Sequence, residues 1–335
     1  MNKSIFLLSY VALGFLLITA CKPDQSKQQQ QGVMPSVTGK SGELIVVMDT
    51  LKFNSNVGLP IRKKLSSVFK GLPQPEPIFS LINIPHKAFN RGFQTHRNIL
   101  RINVGENYTE SRFVVRKNVF SKPQILIEAQ APNDSALKNL FQNRGDDVAQ
   151  RFIESEWNRY IKLYKGMQNR GAREHLRKKF GVSLIVPNGY KVDKDTTNFT
   201  WLAREAPRYS QGILIYKYPY AGERTFTLGY QIQIRNRFTK KFVPGSAPNS
   251  FMITESMVKP FFTKKTLNNH TVYVMRGLWK VKNDFIGGPF ICYSIFDENT
   301  GNVINVDGFV YAPRFEKRDY VRQIEAILQT LKLAG

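Results

Sequence analysis

Acidic residues, cysteine and histidine are all scarce in this chain, and each scarcity removes a class of protein. Cysteine occurs twice in 335 residues, at Cys21 and Cys292, which excludes a cysteine-only metal cluster and a disulfide-dense scaffold. The four histidines, His86, His96, His175 and His270, stand too far apart for a local metal motif, so no metal is expected. There is no G-x-G-x-x-G after a strand, no G-x-x-x-x-G-K-[ST], no G-x-S-x-G and no H-E-x-x-H, and no cofactor is expected. The 25 Asp and Glu face 49 Lys and Arg, a formal charge of +24. Such a balance suggests an anionic partner. With 42% hydrophobic and 12% aromatic residues the chain has ample material for a core.

The amino terminus directs that charge to a compartment. Lys3 precedes an apolar stretch from Ile5 to Ala20, shorter than the roughly 20 residues of a membrane span. It ends Ile18-Thr19-Ala20-Cys21, which resembles the bacterial lipoprotein signal, whose cysteine is lipidated and becomes the first mature residue. The expected organisation is a signal peptide over 1–20 and a lipid-anchored, glutamine-rich tether over 21–41. Two α+β subdomains would follow, over 42–170 and 171–335. Acyl chains on Cys21 would hold the protein at a membrane, with the outer membrane of the cell envelope as the expected location. Export argues against nucleic acid as a partner.

Beyond the tether, Glu43 to Asp49 reads as a central strand, and Val57, Ile61, Leu65 and Val68 recur at helical spacing. Further strands are predicted near Phe79–Ile84, Ile99–Val104, Arg112–Val119 and Gln124–Ala129. A long helix is predicted from Asp134, with a kink near Asn143-Arg144-Gly145. A second helix closes at Gly181. VSLIVPNGYKV then reads as two strands about a Pro-Asn-Gly turn, and Tyr230, Ile232 and Ile234 alternate with polar residues as in a half-buried strand. Strands at 272–281, 290–296 and 303–311 and a terminal helix through Ile324 and Leu328 complete an α+β reading, with mainly antiparallel sheets packed by helices.

Two basic clusters are the candidate anion-binding residues. Lys162, Lys165, Arg170, Arg173, Arg177, Lys178 and Lys179 gather around the end of the long helix. Arg235, Arg237, Lys240, Lys241, Lys264 and Lys265 gather in a loop-rich stretch. Phe238, Phe242, Phe261, Phe262 and Trp279 are candidate aromatic contacts beside them. Cys292 reads as a small core residue. The carboxylates Glu205, Glu223, Asp284, Asp297, Glu298 and Asp307 allow a hydrolase to be imagined, but nothing in the sequence fixes their separation.

The lipoprotein signal, the opening GELIVVMD over 42–49, the long central helix and Phe199-Thr200-Trp201-Leu202-Ala203-Arg204 resemble an uncharacterised, DUF4837-like family of envelope lipoproteins from Bacteroidota over nearly all of the mature chain. That resemblance implies no activity or catalytic residue. The order of elements from FGVSLIVPNGYKV to ILQTLKL is also similar to the fold of photosystem oxygen-evolving accessory proteins, and fold alone supplies no function. The expected role is a lipid-anchored envelope binding or assembly module, whose basic surface takes an anionic lipid, an acidic glycan or an envelope protein. An envelope hydrolase and an accessory subunit of an outer-membrane complex stand as alternatives.

Overall fold

The computed structural model describes residues 34–334, so the signal peptide, Cys21 and most of the expected tether lie outside the described residues. The first region carries strands β1 (Glu43–Val47), β2 (Ser80–Ile84), β3 (Asn98–Val104), β4 (Arg112–Lys117) and β5 (Ile125–Ala131) and helices α1 (Thr50–Asn54), α2 (Leu59–Leu65), α3 (Arg91–Gln94) and α4 (Asp134–Gly166). Its sheet runs β2-β1-β3-β5-β4. β1 is buried on both faces. Leu44 and Val46 pack towards α2 and α4, while Ile45 and Val47 join Ile84, Ile99 and Leu126 on the other side. A strand buried on both faces needs an unbroken apolar run, which ELIVV supplies.

The mainly antiparallel character holds for the molecule, where nine of the twelve strand pairings among the described residues are antiparallel. The three parallel ones all fall in this first sheet, between β1 and β2, β1 and β3, and β3 and β5. β1 and β2 are joined through α1 and α2, whereas β3 and β5 are joined through β4, which lies beyond β5 at the sheet edge, so each parallel pair has the long connection that such pairing requires.

α4 is 33 residues long and capped by Asn133, whose side chain accepts from the Ala136 N–H at 2.9 Å. The helix runs without interruption through Asn143-Arg144-Gly145. A Cβ at Gly145 would stand 2.6 Å from Lys64 Cγ, so the glycine lets α2 approach closely instead of breaking the helix.

The second region continues with α5 (Arg170–Phe180), β6 (Val182–Ser183), β7 (Lys191–Thr196), β8 (Phe199–Ala206), β9 (Tyr209–Pro219), α6 (Leu228–Phe242), β10 (Phe251–Thr254), β11 (Phe261–Leu267), β12 (His270–Lys282), β13 (Gly287–Asp297), β14 (Asn302–Tyr311), α7 (Arg318–Leu328) and β15 (Lys332–Leu333). Its sheet runs β10-β12-β13-β14-β9-β8-β7, with β11 also on β12. One face meets α5, α7 and the last turns of α4 through a core of Val, Ile and Leu. The other face meets α6 through an aromatic layer. VSLIVPNGYKV does not form a hairpin. β6 pairs with β15 and β7 with β8, because the main chain around 186–188 is taken by Met167 and Asn169.

The largest departure from expectation is α6, where the sequence suggests a strand. Gln231, Ile234, Arg235, Phe238 and Thr239 form its buried stripe, at helical spacing. Three of those positions, Gln231, Arg235 and Thr239, are polar, so the apolar residues alone read as alternating.

Candidate functional site

α6 is held to the sheet by polar groups. Arg235 Nε donates to Asp307 Oδ2 at 2.7 Å, Arg235 Nη1 donates to Thr254 Oγ1 at 3.2 Å, and the guanidinium lies 3.8 Å from the Phe290 ring centre. Both members of the ion pair are completely buried. Burial pushes the Asp307 carboxyl up and Arg235 opposes it. One turn earlier, Gln231 donates to the Tyr218 hydroxyl at 2.8 Å and to Thr225 O at 2.7 Å. Its carbonyl oxygen accepts from Ser294 at 2.9 Å and Asn305 at 3.0 Å. Cys292 sits in the same layer, 3.9 Å from the Tyr216 hydroxyl, and burial raises its thiol far above the usual range. It is a core residue without the lowered pKa that a nucleophile requires.

The outer surface of the same helix is open. Arg237 and Lys241, four residues apart and therefore on one helix face, rise over Phe238 and Phe242. With Thr196, Thr197 and Asn198 from the β7–β8 turn they line a cavity of about 460 Å³. Its floor is an aromatic stack, with Phe242 at 4.6 Å from Phe199 and Phe238 at 4.5 Å from Tyr216, ring centre to ring centre. Arg237 stands 5.5 Å from the Phe238 ring and Lys241 5.2 Å from that of Phe242. Neither cation has a carboxylate partner among the described residues. The groove thus offers two charges, an aromatic surface and the polar side chains of the turn to one ligand.

Residues 169–330, which contain this groove, match the model of a family described as a domain of unknown function, DUF4837. Over that span the chain is DUF4837-like. Residues 37–165 match a different model, also described as a domain of unknown function, DUF8532. The family resemblance therefore divides between two models. No curated protein matches the chain. Among solved structures, the Ran-binding protein Mog1p of Saccharomyces cerevisiae is similar over 50% of this chain and 94% of its own, at 7% identity and a TM-score of 0.33.

Within the DUF4837 region the predicted basic residues separate by environment. Arg235 is not available to a ligand, since it is wholly buried against Asp307. Lys265 is half-buried, donates to the Tyr293 hydroxyl at 2.6 Å and lies between the rings of Trp157 and Tyr293. Burial pulls its pKa down to about 7, and Arg276 adds to the shift. Trp279 and Phe238 are core residues at 4% and 9% exposure, although an edge of Phe238 reaches the groove. The Trp279 indole N–H donates to Val310 O at 3.3 Å. Phe262 stacks on Tyr273, Phe261 is exposed with Lys70 above it, and Lys264 is exposed. Lys240 lies over the Phe251 ring.

The first cluster is largely engaged. Arg177 and Lys178 pair with Glu174 at 2.9 and 3.8 Å, Lys179 pairs with Asp195, and Arg173 donates to Ser183 at 3.1 Å. Lys165 and Arg170 are exposed at the α4–α5 junction. Lys162 joins Lys117, Arg151 and Arg159 around a cavity of about 280 Å³, but Arg159 is occupied by Glu156, Asn98 and two backbone carbonyls. Of the candidate acid–base carboxylates, Asp307 is paired with Arg235, and Asp284, Asp297 and Glu205 hold neighbouring hydroxyls. No group of three or more His, Cys, Asp or Glu among the described residues could hold a metal ion. Gln231, Asn305 and Ser294 escape sequence reasoning. Their one signal is the four-residue step between Gln231 and Arg235.

Proposed function

We propose that the chain is a lipid-anchored binding module of the cell envelope, held at the outer membrane through Cys21, and that the α6 groove takes an anionic ligand. The observation that carries this reading is the pair Arg237 and Lys241 standing without carboxylate partners above Phe238 and Phe242, in a cavity of about 460 Å³. The volume lies in the range of small-ligand sites. Cations over an aromatic floor suit an acidic sugar or a phosphorylated headgroup, whose charge meets the cations while its apolar face lies on the rings. No helix among the described residues is long and apolar enough to cross a membrane, which is compatible with anchoring by lipid.

The test is titration of the full chain with uronic-acid oligosaccharides and with glycerophosphate headgroups, followed by calorimetry at low and high salt. Binding should weaken with salt and fall about tenfold or more in an Arg237→Glu, Lys241→Glu double variant, since each charge-assisted contact is worth roughly 1.5–3 kcal/mol. Equal binding by the variant overturns the assignment of the groove.

A further inference from the structure

The loops at the β10 edge of the large sheet carry the two most exposed large apolar side chains among the described residues. The β12–β13 turn places Phe285 wholly in solvent, at 107% relative exposure, and the β10–β11 connection does the same with Met257 at 88%. Hairpin tips normally carry small polar residues, because nothing there rewards an apolar side chain. The two tips are neighbours. Glu255 and Phe285 line one cavity of about 370 Å³ with Leu278, Trp279 and Ile286, and Lys280 of β12 pairs with Glu255 at 3.1 Å. Val258 and Phe261 add exposed apolar surface at 44% and 43%.

Cations surround these tips. Lys282 and Lys259, flanking the two loops, are exposed. Lys282 and Lys240 lie 5.7 and 5.1 Å from the Phe251 ring centre. The carboxylates on the same loops are engaged, Glu255 with Lys280 and the Met257 N–H, and Asp284 with Ser246 at 2.9 Å and the Phe285 N–H at 2.6 Å. We infer that this edge is a membrane-docking surface, in which Phe285 and Met257 enter the interfacial region of an anionic lipid bilayer while the neighbouring lysines meet its headgroups.

Lipid is favoured over a protein partner by shape and charge together. Single large side chains on a hairpin turn and on the β10–β11 connection form points rather than a flat complementary patch, and apolar points backed by lysines are what binds an anionic interface. The inference goes beyond the anchored reading and uses it only for proximity. The fourteen residues from Cys21 to Pro35 span at most about 50 Å, enough to let a chosen face meet the membrane.

The experiment uses the mature chain from residue 21 with Cys21→Ser, so that insertion is measured without acylation and without the apolar signal segment. In this background, Phe285→Trp should give blue-shifted emission with phosphatidylglycerol-containing vesicles, quenching by brominated acyl chains, and a much smaller response with phosphatidylcholine alone. Phe285→Ser with Met257→Ser should lower co-sedimentation with the anionic vesicles about tenfold, with thermal unfolding unchanged as a check on folding. Absence of the spectral shift, undiminished sedimentation of the double variant, or a protein partner occupying these tips with no vesicle binding would each overturn the inference. Anchoring is tested apart, by the mass of the wild-type mature amino terminus. An unacylated Cys21 sinks the anchor and leaves the insertion result standing.

Discussion

The two faces of the eight-stranded sheet share the same strands yet are built on different chemistry. Along β14, Ile304, Val306 and Val310 point to α7, and Val303, Asn305, Asp307 and Phe309 to α6. On the α7 side Val321, Ile324, Ile327 and Leu328 pack by volume against β9, β13 and β14, and directed bonds are fewer, chiefly Arg276 with Glu325 and the Gln211 amide donating to Tyr320 O at 3.0 Å. On the α6 side the helix is fixed by directed bonds from Gln231 and Arg235, with aromatic rings between them. Volume tolerates small rotations of a helix about its axis. Directed bonds do not, so the polar face sets the rotation of α6 and hence where Arg237 and Lys241 stand on its outer surface.

The sharpest way to break this comparison is Asp307→Ala, which leaves Arg235 buried and unpaired. It should cost about 3–5 kcal/mol in urea unfolding, and replacing both partners by apolar residues should recover most of the loss. A cost below about 1 kcal/mol would mean that the pair does not organise α6. On the opposite face, Ile324→Ala should cost about 3 kcal/mol through cavity formation. Gly308→Ala should cost about 2 kcal/mol alone, because its Cβ would stand 2.1 Å from Ile324 Cγ2. Combined with Ile324→Ala it should cost less than the sum, as the new methyl occupies the vacated space, and strict additivity would contradict the packing described.

Lys265 sharpens the contrast further, as a cation on the α7 face that, unlike Arg276 beside it, has no carboxylate partner among the described residues. Its folded pKa is lowered from 10.5 to about 7, so between those values the unfolded chain binds more protons than the folded one. Stability should therefore rise as pH increases from about 7 to 10.5, and the full penalty should be present below 7. Lys265→Met should flatten that rise, and pH-dependent thermal unfolding reads it directly. The smallest effect belongs to the groove, where Arg237→Ser and Lys241→Ser should change stability by no more than about 0.5 kcal/mol, as exposed side chains without partners do.

Legibility in the sequence follows the same division. Where burial is apolar, periodicity finds the element, and β1, α2, α4, α5 and α7 stand near where their apolar residues predict. Where burial is polar it fails. YQIQIRN reads as a strand until Gln231 and Arg235 are counted as interior, and that count depends on Asn305 and Asp307, some seventy residues further along. The β6–β15 pairing is hidden for a related reason, since it joins Val182 and Ser183 to Leu333 and Lys332 across most of the second region. The groove was half legible. Its charges and rings lie within six residues of one another, but which of the basic residues remain outside was decided by the fold.

α4 has a consequence for how such chains are divided in evolution. At 33 residues it is a rod of about 50 Å, and the two family matches meet at its end, one closing at 165 and the other opening at 169. Its first turns complete the core of one region, while Trp157, Tyr160, Ile161 and Tyr164 complete the core of the next. The border of descent and the border of packing thus differ by about three turns. A DUF4837 segment inherited without its neighbour would need a replacement for that borrowed stripe, so recombination at residue 167 would separate two genes but not two self-sufficient folds.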